Sequence, residues 1–216
     1  MTSILLDNVH FFPVLLLFLY LFAHVGSHWI EHLYKKFPAL LSSPHHVSHL
    51  CRHRVLLLTL ALGTATLRSL LHPSIYMPFP IVIIPVFFLL LVTFTDAEQQ
   101  VIFDHMLIPF ALLAPLGWFF LALPFTEYLL AAFAGGISFL LLAILTRGGI
   151  GGGDIKLIFV LGLWFGPEHL PVILLYGLLL GGAAALLLLA MHRKKAHDYF
   201  AYGPYFTVSA FFSLLF

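Results

Sequence analysis

The chain has 216 residues, of which 62% are hydrophobic and only 9% charged. Its mean hydropathy is +1.06. Soluble domains are nearer a quarter charged, so this composition excludes a water-soluble globule and specifies an all-α, polytopic bundle of transmembrane helices. A formal net charge of +1 leaves no basic domain to neutralise phosphates, which excludes nucleic acid as a partner. The single cysteine, Cys51, excludes an intramolecular disulfide framework and any multi-cysteine zinc site.

In chain order, the first apolar run covers residues 11–25. Asp7 is the only formally charged residue before it, with no lysine or arginine, and His28, Glu31, His32, Lys35 and Lys36 follow. A secretory signal carries its positive charges in front of the apolar core, so this run is expected to be a retained span. Residues 33–54 form a short hydrophilic loop, and a second span is expected over 55–71. Pro73 and Pro78 mark a turn before a third span at 79–95. The polar stretch 96–105 then places Asp96, Glu98 and Asp104 ahead of a fourth span at 106–123 and a fifth at 128–146. A sixth span, 155–166, closes at Gly166-Pro167; a seventh covers 170–191, and 199–216 supplies an eighth. The sixth is too short to cross ~30 Å of hydrocarbon unaided, which suggests a thinned or partly re-entrant helix. The whole of 1–216 is expected to be one integral membrane domain of about eight spans.

With eight spans, the loops 33–54, 96–105, 147–154 and 192–198 share one face. Together with Lys156 they hold nine of the ten lysines and arginines, and only Arg68 lies toward the other side. The positive-inside rule makes that face cytoplasmic, with both termini outside.

Between the fifth and sixth spans lies Arg147 to Lys156, RGGIGGGDIK, with five glycines in six residues and then Asp154. Glycine allows close backbone approach because no Cβ intervenes. A carboxylate at the edge of an apolar span is costly, which makes it a functional candidate, although Asp154 is equally suited to N-cap a helix starting at Ile155. Asp96 sits two crossings away, at the same membrane edge. Two neighbouring carboxyls cannot both ionise easily, so one keeps its proton while the other stays charged. The charged member can take a proton from water and the protonated one can polarise a peptide carbonyl. No serine–histidine set or metal cluster is evident as an alternative route to amide hydrolysis.

Other features have plainer readings. His24, His28 and His32 share a helical face, and seven histidines fall between His24 and His53. Headgroup-level histidines explain them better than a metal site, and no metal or cofactor is expected. GGIGGGD follows an apolar span instead of a strand, so dinucleotide binding is excluded. HRKKAHD, 192–198, is expected to be a topology anchor, with contact to anionic lipid as a further option. A cation-coupled transporter would also place acids in the membrane, but at the midplane and with an inverted repeat, neither of which is present here. A non-catalytic membrane assembly protein is the remaining alternative.

At two stretches the chain resembles a known family. GGGDIKL, 151–157, is similar to the GxGD motif of bacterial type IV prepilin peptidases, and DAEQQVIFDHMLIP, 96–109, to the segment carrying that family's first catalytic aspartate. YGPYF, 202–206, resembles its late Gly-Pro element, and HVGSHWIEHLYKKFP is a looser likeness of the stretch opening its cytoplasmic domain. Phe103 stands where the family usually has proline. The resemblance implies an aspartic endopeptidase with Asp96 and Asp154 as catalytic pair and Gly151, Gly152, Gly153 and Lys156 as active-site loop. Its implied partners are membrane lipid and prepilin or pseudopilin precursors of type IV pilus or type II secretion assembly. A short basic leader would be removed after glycine at the cytoplasmic face of the bacterial inner membrane. Glu98 and Asp104, otherwise solvated loop acids, become candidate contacts for that leader. The longer cytoplasmic domain with paired CxxC motifs, found in members that also N-methylate the product, has no counterpart, so methyl transfer is not expected.

Overall fold

The computed structural model describes residues 11–42, 51–71, 80–147, 149–191 and 200–215, and these are helical throughout apart from short connections. The helices are α1 (Phe11–Lys36), α2 (Cys51–Leu71), α3 (Ile83–Gln99), α4 (Asp104–Phe120), α5 (Phe125–Leu145), α6 (Gly152–Ala190) and α7 (Gly203–Leu215), with a 3-10 turn at Pro38–Leu40 after α1. Four of them contain segments long and apolar enough to cross a membrane: Pro13–Lys36, His53–Leu71, Phe125–Leu145 and Gly152–Ala190. The outward surface is apolar, with Leu112 72%, Phe119 81% and Leu145 79% exposed, as a lipid-facing surface requires.

Several helix boundaries differ from the sequence-based expectation. Hydropathy marks where a chain enters hydrocarbon, but backbone hydrogen bonding continues beyond it. So α1 extends to Lys36, and α3 runs to Gln99, drawing Asp96 and Glu98 out of the expected loop into a helical last turn. Asp104 opens α4, where its charge suits the positive end of the helix dipole. Asp7, Pro73, Pro78, His45, His46, His49 and 192–198 lie outside the described residues.

The expected sixth and seventh spans are the two arms of α6, separated at Gly166 (φ 64, ψ −171). A straight helix of 39 residues would be about 58 Å long, far beyond a bilayer's hydrocarbon core. The contacts show that it folds back. In the first arm, Phe159 packs on Gly136, Gly162 on Ala132 and Gly166 on Tyr128, so this arm runs antiparallel to α5. In the second, Gly177 packs on Phe206 and Gly181 on Tyr202, while His169 Nδ1 lies 3.0 Å from Ser213 Oγ; this arm runs antiparallel to α7. Leu170, just past the break, returns to Gly135 on α5. Pro167 has no N–H to offer Leu163, four residues back, and Trp118 Nε1 donates to that carbonyl instead at 2.7 Å. Gly162 allows the closest approach, since a Cβ there would overlap Ala132 Cα and lie 2.6 Å from Ala132 N. Small residues at such crossings are how membrane helices gain packing without a hydrophobic drive.

The remaining contacts set the other directions. Gly26 meets Phe87 while Tyr34 meets Glu98, so α1 and α3 are parallel. Thr93 and Thr207 hydroxyls are 2.7 Å apart and Asp96 faces Gly203, so α3 and α7 are antiparallel. The consequence is that the ends of α1, α3 and α5 and the starts of α2, α4, α6 and α7 gather at one end of the bundle. Arg68 Nε, donating to Leu215 O at 2.9 Å, lies at the other.

Candidate active site

At the gathered end, three helix termini meet. The last turn of α3 carries Asp96, 3% exposed, and stops immediately after it. Gln100 takes the left-handed conformation (φ 56, ψ 36), and its N–H closes on Asp96 O at 2.9 Å. Gly151 caps α6 with an extended backbone (φ −68, ψ 142), and its carbonyl accepts from Asp154 N at 3.1 Å and Ile155 N at 3.3 Å. Asp154 is therefore the third residue of the helix, not its N-cap. Asp154 is 4% exposed, and its carboxyl reaches back to the Gly151 backbone in the manner of the acid in a capping box.

The third terminus is the start of α7. The Gly203 backbone faces the carboxyls of both Asp96 and Asp154, and Asp154 is close enough to act electrostatically on Asp96. The amino end of a helix carries positive partial charge, which favours a negative charge placed against it. Gly203 leaves no side chain in the way: a Cβ there would overlap Asp96 Oδ2, with Asp96 Cγ and Ile102 Cδ1 each at 3.1 Å. Asp96 Oδ2 has no hydrogen-bond partner among the described residues. Two buried carboxyls around one backbone amide form a site suited to sharing and passing a proton.

The glycine loop divides by position. Gly151 is the cap, and Gly153 lets Ile102 approach, with a virtual Cβ 3.1 Å from Ile102 Cβ. Gly152 has nothing within 4 Å of where its Cβ would be, so this middle position is free. Lys156 faces away from Asp154: its Nζ lies 2.8 Å from both Asp104 carboxyl oxygens, with side chains 58% and 51% exposed. This pair sits at the mouth of an apolar groove between α4, α5 and the first arm of α6, on the face of α6 opposite Asp154.

Glu98 corrects the sequence reading. It is no solvated loop acid, because Arg54 Nε donates to its Oε1 at 2.6 Å and the Tyr34 hydroxyl to its Oε2 at 3.0 Å. His24, His28 and His32 lie on the exposed face of α1, and no cluster of three metal-ligating side chains occurs among the described residues. Gly203, Ile102, Tyr34 and Arg54 were not singled out from sequence as site residues. Gly203, Ile102 and Tyr34 lie in the family-like stretches YGPYF, DAEQQVIFDHMLIP and HVGSHWIEHLYKKFP, whereas Arg54 lies in none of them.

Comparison with known proteins follows the same residues. The sequence model of the Type IV leader peptidase family matches residues 83–186, which contain both acids. A prepilin leader peptidase/N-methyltransferase of Neisseria gonorrhoeae is 37% identical over 131 residues, covering 56% of this chain and 43% of the relative. Proteins of the same description from Pseudomonas aeruginosa and Dickeya chrysanthemi are 31% and 33% identical, covering 52% and 56% of this chain and 43% and 44% of theirs. The matched part is thus less than half the length of these relatives. No solved structure matches the chain. By these matches, the region 83–186 belongs to the type IV leader peptidase family.

Proposed function

We propose that the chain is a membrane-embedded aspartic endopeptidase that removes a short basic leader from prepilin-like precursors. The reading rests on one observation above all: Asp96 and Asp154 are buried together around the Gly203 backbone, at the end where helices α1, α3 and α5 finish. The charged carboxyl takes a proton from water, whose oxygen attacks the scissile carbonyl carbon. The protonated carboxyl donates toward the carbonyl oxygen. Collapse of the tetrahedral intermediate breaks the C–N bond, and the proton first taken from water leaves on the new amine. Asp96 and Asp154 are the catalytic pair; Gly151 and Gly153 shape the loop, and Asp104, exposed and paired with Lys156 at the same end of the bundle, is the acid offered to a basic leader.

The alternating helix directions favour eight crossings, counting the two arms of α6 separately. The site end carries Lys35, Lys36, Arg54, Arg147 and Lys156, which supports placing it at the cytoplasmic face of a bacterial inner membrane with both chain ends outside. A cation path is less well supported, because the acids lie at one end of the bundle and not at its midplane.

The test is cleavage of a co-expressed pilin-like precursor. Asp96→Asn and Asp154→Asn are each expected to abolish processing while leaving the protein inserted, since the amide keeps the shape but exchanges no proton. Asp104→Asn is expected to retain most activity. Processing at near the normal rate by Asp96→Asn would reject the aspartic mechanism.

A further inference from the structure

Helices α1 and α2 precede the matched region 83–186, yet they grip the segment that carries Asp96. Tyr34 is the hub. Its hydroxyl donates to Glu98 Oε2 at 3.0 Å, and its ring lies 6.0 Å from that of Phe103. Phe37 reinforces the second contact, 6.3 Å from Phe103. From α2, Arg54 Nε donates to Glu98 Oε1 at 2.6 Å, and its guanidinium lies 5.5 Å over the Tyr34 ring. The turn from α3 into α4 is therefore clamped from behind at Glu98 and at Phe103. On its front, Asp96 faces Gly203, and Ile102 abuts both Gly153 and Gly203.

We propose that Tyr34, Arg54 and Glu98 are positioning residues, which hold the end of α3 so that the Asp96 carboxyl meets Asp154. The inference rests on the peptidase reading above. The arrangement is a poor device for stability alone. Arg54 is 1% exposed, and its Nη1 and Nη2 have no partner among the described residues. Apolar side chains of similar volume serve stability as well as a buried ion pair. What the ionic contact adds is direction, because Nε and the tyrosine hydroxyl engage the two carboxylate oxygens separately and fix the rotation of the last turn. Reacting groups displaced by ~1 Å lose on the order of 10²-fold in rate, so small rotations matter here.

The experiment measures kcat and KM per inserted molecule on a precursor peptide with its basic leader. Glu98→Gln and Arg54→Gln are expected to lower kcat by about tenfold or more with KM within about twofold, the pattern of a change in the chemical step. Arg54→Lys, which keeps the charge, is expected to recover part of the loss. Tyr34→Phe deletes only one hydroxyl and is expected to cost a few-fold (about three- to fivefold) in kcat. It decides the matter if Glu98→Gln fails to accumulate. The double Arg54→Gln/Glu98→Gln is expected to be no slower than the singles, because both act through one contact. Wild-type kcat in Tyr34→Phe and Glu98→Gln, with a lowered unfolding temperature only, would overturn the inference while leaving the peptidase reading intact. Active Asp96→Asn and Asp154→Asn enzymes would instead reject that reading.

Discussion

Gly203→Ala isolates the geometry of the site with one methyl group. Among the described residues positive-φ glycine is confined to Gly166, so the requirement at Gly203 is for space and not for conformation. The new Cβ would overlap Asp96 Oδ2, while ordinary contact begins at 3.4 Å. The carboxyl must then retreat by about 1 Å, a displacement that costs on the order of 10²-fold in rate, or about 2.7 kcal/mol of barrier. Gly203 is the first residue of α7 and its φ is not positive, so alanine is compatible with the backbone and folding of α7 gives no reason for the loss. Gly152→Ala is the matched control, since nothing lies within 4 Å of its Cβ. The assay compares kcat on a leader-bearing peptide for the two purified variants, each normalised to inserted protein. Gly203→Ala within about threefold of wild type, on the scale of that ~10²-fold expectation, would refute the claim that the open face of this glycine lets the two acids gather.

Gly162→Ala is expected to lower the unfolding temperature in detergent, because a Cβ there meets Ala132 backbone and cannot be relieved by a side-chain rotation. Overpacking of this kind costs about 1–3 kcal/mol, whereas Gly63→Ala, with open space around it, is expected to be neutral. With Cys51 replaced by serine, a cysteine at Ser42 is expected to resist a membrane-impermeant reagent in intact cells and one at Thr126 to react; the reverse pattern would invert the assigned orientation. Processed precursor from cells in which this is the sole enzyme of its kind is expected to carry a free amino terminus, and a product heavier by ~14 Da would show methyl transfer.

The two acids proposed as the catalytic pair were legible in the sequence because a carboxylate is costly next to an apolar run, so Asp96 and Asp154 stood out where hydropathy changed. The break in α6 was legible too, as Gly166-Pro167, although the short first arm suggested a re-entrant piece instead of one side of a hairpin. The helix ends were not legible. Charge at Lys35 or Glu98 ends a hydropathy window without ending the hydrogen-bond ladder, so α1 and α3 ran on past their expected limits. The ion pair of Glu98 was hidden because its partner Arg54 lies 44 residues earlier, with no periodicity connecting them. A still longer separation hid the contact of Gly203 with Asp96, since the glycine comes 107 residues later (203 − 96 = 107) and meets the acid only through the fold.

The hairpin at Gly166 has a consequence for biogenesis. The two arms of α6 are joined by a reversal of only a few residues that carries one acid, Glu168, and no lysine or arginine, so no basic tether there can instruct the translocation machinery; the reversal itself directs the chain. A residue with a side chain at position 166 would be strained at φ 64 and would press on the Tyr128 ring at 2.8 Å. If the strain were relieved by straightening, the second arm would leave the bilayer on the wrong side and deliver α7 upside down. Gly203 would then lie a membrane's thickness from Asp96 and Asp154. Such a variant would be full length and inserted, with both acids intact, yet inactive, and it would mimic a catalytic mutant while failing as a topological one.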